Sequence, residues 1–206
     1  MDIILHLIKC HDYRYHENDN VYWKNKEFVL KAIKIDVSSL RYASEELKND
    51  ENFIIEVIKN RCYSMEYTLK QLFDNVSKEL LNNKKFVLKI LRIDGCLLRY
   101  VPYEFQNDKE IVLEAIRDNG YNLECASYEI RNDKKIVAIS LKTNGYSLEH
   151  ASEKLQSNKK LILMALKELY FVDHIKFKEN NKKFTDVIHF DMIRTKKSFS
   201  KILKFY

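Results

Sequence analysis

Asp108-Lys109-Glu110-Ile111-Val112-Leu113-Glu114-Ala115-Ile116-Arg117-Asp118-Asn119-Gly120 is matched, 25 residues on, by Asp133-Lys134-Lys135-Ile136-Val137-Ala138-Ile139-Ser140-Leu141-Lys142-Thr143-Asn144-Gly145. Each opens on an acid, runs through three apolar residues, places a basic residue near its end and closes on Asn-Gly. The chain has three glycines, Gly95, Gly120 and Gly145, each 25 residues after the last. Carried outward, the register gives an anchor column of Phe28, Phe53, Phe86, Ile111, Ile136 and Leu161, with one longer step of 33 residues from Phe53 to Phe86. A repeat of roughly 20–50 residues marks a stack of like supersecondary units.

Columns are counted from that anchor. Columns zero, one, two and five are apolar throughout and cover about half the circumference of a helix. This first helix is therefore buried on a broad face. Asp50, Asp108, Asp133 and Asn158 stand at its N-cap. The glycines at column nine are read as left-handed C′ residues that stop it. Ser39, Ser64, Asn122 and Ser147 then cap a second helix. Its apolar columns form a narrow stripe (Leu40, Met65, Leu98, Leu123 and Leu148 at column twelve), so one face meets water. Pro102 falls inside that helix and implies a kink or a late start. Ala32, Ala115 and Ala165 on the first helix, with Ala43, Ala126 and Ala151 on the second, permit close axial approach. The insertion is read as lengthening a second helix at about residues 73–80, by about two turns.

The fold class that follows is all-α: a solenoid-like array of about six short helix-turn-helix repeats with terminal capping helices. Residues 1–24 form an N-terminal cap, 25–173 the array and 174–206 a basic capping segment. A period near 25 also suits leucine-rich repeats, but Leu113 to Gly120 keeps a helical rhythm and no Leu-x-Leu step.

Composition narrows the functional classes. Charged residues are 32% and hydrophobic residues 46%, fitting a folded soluble chain. No apolar stretch reaches the roughly 18 residues of a membrane span. The N-terminal Met1–Lys9 stretch lacks a basic leader and is not read as a signal peptide. Cys10, Cys62, Cys96 and Cys125 show no Cys-x-x-Cys pairing, which suggests free thiols in a reducing, cytoplasmic compartment. The formal charge of +6 is concentrated in the tail, because residues 174–206 carry nine basic and three acidic groups.

The repeat resembles a family of tandem helical repeats known only as a domain of unknown function, of the form DKEVVLxAVxxNGxxLxxASxxLxxD. Asp108 to Ile116, Asn119-Gly120, Leu123, Ala126-Ser127 and Arg131-Asn132-Asp133 carry the match, which runs over about residues 25–170 and is best over 83–170. Such repeats are typical of large DNA viruses, protists and amoeba-associated bacteria. The resemblance implies a helical repeat fold and a host-interaction setting, with the host cytosol as one location, and it brings no catalytic residues.

Candidate chemistry is sparse. Phosphate-binding loops need clustered glycines, and all three here punctuate repeats. His6, Cys10, His11 and His16 are the one ligand-like cluster, without paired zinc spacing, and no metal is assigned to them. Cys125 and His150 share column fourteen with Tyr42, Tyr67 and Tyr100. As a pair they have no evident orienting group, so no catalytic residue and no cofactor is assigned. Column six is basic in every repeat: Lys34, Lys59, Arg92, Arg117, Lys142 and Lys167. It reads as a partner-binding row, or as cations meeting the negative end of each first helix; Glu46, Glu104 and Glu129 are candidates to neutralise it. The expected function is a non-catalytic scaffold for protein–protein interaction with an unidentified protein partner. The alternative is binding of nucleic acid or an anionic surface through the basic tail and the basic row.

Overall fold

The computed structural model describes residues 21–60, 66–117 and 119–177. Among these the fold is an all-α array of repeats. Each repeat opens with an α-helix: α1 Lys26–Ile35, α3 Glu51–Lys59, α6 Lys84–Leu91, α8 Lys109–Ala115, α10 Lys134–Ser140 and α12 Lys159–Phe177. The broad apolar face is buried as its pattern requires; Val29, Phe53, Val87, Ile111, Val112 and Val137 have no measurable exposure. Asp50, Asp108, Asp133 and Asn158 accept from backbone N–H groups of the first turn. Asn25 and Asn83, at the same column, do likewise.

The second half of the repeat differs from the continuous helix expected. It is a 3-10 helix, a corner and a single α-turn. The 3-10 segments are Val37–Tyr42, Gly95–Tyr100, Gly120–Cys125 and Gly145–His150. The α-turns are α2 Glu45–Lys48, α5 Lys78–Leu81, α7 Tyr103–Gln106, α9 Tyr128–Arg131 and α11 Glu153–Gln156. Two extended residues make the corner: Ala43 has φ −57°, ψ 149° and Ser44 has φ −59°, ψ 151°. Pro102 occupies the column of Ser44. Proline fixes φ near −65° and drives its predecessor out of the α region, so it suits the corner and is no kink.

Two other expectations are corrected. Ser39, Asn122 and Ser147 are buried inside the 3-10 segments and do not cap them. The caps are three residues earlier: Asp36, Asp94, Asn119 and Asn144 accept from the N–H two residues on. The glycines are not left-handed either. A β-carbon on Gly95 would lie 2.2 Å from the Ala115 carbonyl oxygen, and one on Gly145 would lie 2.6 Å from that of Ala165. Glycine is required because the first helix of the next repeat passes over it, which also explains the small residues Ala115, Ser140 and Ala165 at the crossing.

The insertion does not extend a second helix through residue 80. Helix α4, Glu66–Phe73, stands where other repeats have a 3-10 segment, and the Ser77 corner precedes α5 as usual. Ser64 and Cys62 lie outside the described residues.

Serine at the corner ties each repeat to the one before. The Ser44 N–H donates to the Trp23 carbonyl at 2.9 Å, Ser77 to Lys48 at 3.1 Å, Ser127 to Gln106 at 2.9 Å and Ser152 to Arg131 at 2.9 Å. Their hydroxyls add a second tie: Ser77 Oγ donates to Asn49 Oδ1 at 2.5 Å, Ser127 to Asn107 at 2.6 Å and Ser152 to Asn132 at 2.7 Å. Pro102 has neither group. Among the described residues two compact units are distinguished, the first reaching to residue 93 and including 100–102, the second comprising 94–99 and the described residues from 103 onward.

Candidate partner-binding surface

Column six is exposed in all six repeats. The first unit carries Lys34, Lys59 and Arg92, the second Arg117, Lys142 and Lys167. Lys34 and Lys59 lie in the last turns of α1 and α3, and Arg92 caps α6. There a cation meets the unpaired carbonyls and the negative helix end, an attraction of about 0.3–1 kcal/mol each. One specific neutralising acid lies three residues earlier in the chain: Arg117 Nη1, just past the end of α8, is 3.1 Å from Glu114 Oε1. Of the acids first suggested, Glu129 instead accepts from the Tyr103 hydroxyl at 3.1 Å. Its own backbone N–H, Ser127 and Tyr103 hold its carboxyl below the usual range.

Column three supplies further ion pairs on the outer strip of the first helices. Lys31 Nζ is 2.7 Å from Glu27, and Lys26 reaches Glu56 at 3.0 Å. Lys89 pairs with Glu51. In the second unit Lys109 bonds Asp133 at 2.6 Å, and this bond outweighs the burial of the Asp133 carboxyl, lowering its pKa. Such surface pairs contribute about 0–1 kcal/mol each.

His150, which the sequence groups with Cys125, is half-buried. Its ring stands edge-on to Tyr121, with centroids 4.5 Å apart and planes at 88°. Its Nε2 is 3.4 Å from Glu149 Oε1, and Arg131 Nη1 donates to its carbonyl at 3.4 Å. Burial pushes the imidazole pKa down, opposed by Glu149 and Glu124 and aided by Arg131. The lowered pKa favours the neutral ring, which packs edge-on against Tyr121. Burial also raises Tyr121, with Glu149 and Glu124 adding to the effect. Cys96 is exposed and its Sγ donates to Asn122 Oδ1 at 3.2 Å, while Cys125 is half-buried.

His6, Cys10, His11 and His16, and the basic segment 174–206 beyond residue 177, lie outside the described residues. Among the described residues no helix is long and apolar enough to cross a membrane, and no three His, Cys, Asp or Glu side chains gather as a metal site. Sequence reasoning missed the exposed tyrosines Tyr103, Tyr121, Tyr128 and Tyr146. Their signal was present: Tyr103 and Tyr128 share column seventeen, and Tyr121 and Tyr146 share column ten.

A family model described as Domain of unknown function (DUF4116) matches the chain in five overlapping segments, residues 25–73, 70–106, 83–131, 108–156 and 133–172. No curated protein matches the chain, and no solved structure matches it.

Proposed function

The chain belongs to the DUF4116 family, and on that premise we propose that it is a non-catalytic repeat scaffold for protein–protein interaction. The observation that carries this reading is the periodic display of aromatic side chains. Tyr103, Tyr121, Tyr128 and Tyr146 are exposed in the second unit at two repeating columns, while glycine crossings and serine ties set the spacing beneath them. Tyrosine is enriched in protein interfaces because a large apolar ring carries a polar tip. The scattered spacing of Cys10, Cys62, Cys96 and Cys125, without Cys-x-x-Cys pairing, supports a reducing, cytoplasmic location, and the family resemblance supports a host-interaction setting.

The test is a pull-down from cell lysate on the immobilised full chain, with and without nuclease. The scaffold reading expects protein retention that survives nuclease and weakens when Tyr103, Tyr121, Tyr128 and Tyr146 are changed to serine. Retention abolished by nuclease would replace it with nucleic-acid binding, whose affinity falls steeply with salt as counterions are released.

A further inference from the structure

In the second unit, α10 and α12 pack against each other and present the same outer strip. Along α10 and the turn that ends it the strip reads Lys135, Ile139, Lys142; on α12 it reads Lys160, Met164, Lys167, with Leu163 beside it. The spacing of four and then three residues aligns each set along one helix face. The lysines are all exposed. Ile139 and Leu163 are 40% and 57% exposed, so apolar side chains stand in water between cations.

The earlier repeats show what is unusual. Their residues at the position of Ile139 and Met164 are Lys31, Glu56, Lys89 and Glu114, and each of these is in an ion pair. Segments 26–34, 51–59 and 109–117 contain acids of their own, and the basic segment 84–92 receives Glu51 from the preceding first helix. Segments 134–142 and 159–167 contain three lysines each and no acid. Neighbouring helix axes lie about 8–10 Å apart, so the two strips form one patch: an apolar centre bounded at both ends by positive charge.

Resting on the scaffold reading, we propose that this patch docks an acidic amphipathic helix of a partner protein. The partner's apolar side chains cover Ile139, Leu163 and Met164, and its carboxylates meet Lys135, Lys142, Lys160 and Lys167. The apolar centre favours such a peptide over nucleic acid, whose phosphates gain from the lysines and nothing from exposed aliphatic groups.

The experiment is fluorescence anisotropy on the full chain with three labelled probes of equal charge. They are a helical Glu/Ala peptide with leucines at i, i+4 spacing, a Glu/Ser peptide, and a single-stranded DNA oligonucleotide. The leucine-bearing peptide is expected to bind about tenfold more tightly than the Glu/Ser peptide, the size of one buried aliphatic side chain. Ile139→Ser with Leu163→Ser removes that advantage. Each of Lys142→Gln and Lys167→Gln weakens binding about two- to fivefold, the scale of exposed charge pairs, whereas Lys34→Gln with Lys59→Gln leaves it unchanged. All these positions are exposed, and circular dichroism verifies the fold of each variant. Equal binding of the two peptides overturns the proposal. Tight peptide binding that ignores all the α10 and α12 substitutions overturns the patch and leaves the scaffold reading standing. Tighter binding of DNA than of either peptide, indifferent to the serine variants, overturns both.

Discussion

Gly120 and Ser140 are in such close approach that a β-carbon on the glycine would lie 1.9 Å from the serine's carbonyl oxygen and 2.7 Å from its carbonyl carbon. Backbone meets backbone at this crossing, so no side chain can swing aside. Gly120→Ala must push the 3-10 segment off α10 and is expected to cost about 3 kcal/mol, the upper range for overpacking. Gly145→Ala is milder: its nearest backbone atom is 2.6 Å away and its next neighbour is the movable Leu169 side chain. Urea denaturation of the two variants checks the order; equal costs would show that the crossings are not what demands glycine.

Pro102 predicts a gain of stability. Serine there would supply an N–H for the Leu81 carbonyl, as Ser127 does for Gln106, and a hydroxyl for Asn82, as Ser127 does for Asn107. Two hydrogen bonds contribute about 0.5–1.5 kcal/mol each. Losing proline frees the unfolded chain by about 0.4–1 kcal/mol. Pro102→Ser should therefore stabilise by about 1 kcal/mol net, read as a raised urea midpoint. A lowered midpoint would mean that this repeat is spaced differently from the rest.

The register was legible in the sequence because its markers are exclusive: three glycines at one interval, and capping acids such as Asp108 and Asp133 at one column. The backbone between them was not. Ser39, Asn122 and Ser147 have the side chains of N-caps, yet all three are buried, and the side-chain polar groups of Asn122 and Ser147 are spent inside. Asn122 Nδ2 donates to the Ala115 carbonyl at 2.8 Å, and Ser147 Oγ is 2.9 Å from Ser140 Oγ. Glycine was ambiguous in the same way, since a left-handed turn and a tight crossing demand the same residue. The α10–α12 patch was hidden for a different reason. No lysine in it is unusual alone; what sets it apart is the missing acid and the aliphatic Ile139, visible only against the ion pairs of Lys31, Glu56, Lys89 and Glu114.

Asp133 has two duties that substitutions separate. Its carboxylate caps α10 by accepting from Lys135 and Ile136 N–H groups, and it bonds Lys109. Asp133→Asn keeps an accepting oxygen and loses the charge, so it should cost about 0–1 kcal/mol. Asp133→Ala loses the cap as well and should cost about 1–2 kcal/mol more. Thermal unfolding in low and high salt separates the two duties: both costs should shrink by the same charge-pair part as salt is added, while the extra cost of alanine over asparagine, the cap, should persist.

His150 makes stability depend on pH in a direction that follows from its surroundings. Burial beside Tyr121 lowers its pKa in the folded protein, despite Glu149 and Glu124, whereas the unfolded chain titrates near 6.5. Between the two values the unfolded state binds the extra proton, so stability rises with pH across that window. Above about pH 6.5 both states hold a neutral ring and the contribution is constant. As pH falls below it, protonation favours the unfolded chain, and the loss continues down to the folded pKa. Carboxylates titrate lower and would blur a single curve, so the measurement is a difference. Urea midpoints of the wild type and His150→Gln are compared from neutral pH downward. The wild type should lose stability earlier on acidification, and the variant should keep a flatter profile near pH 6. The opposite ordering would mean that Glu149 and Glu124 hold the imidazolium in place, and that the ring contact with Tyr121 joins a cation to an aromatic edge.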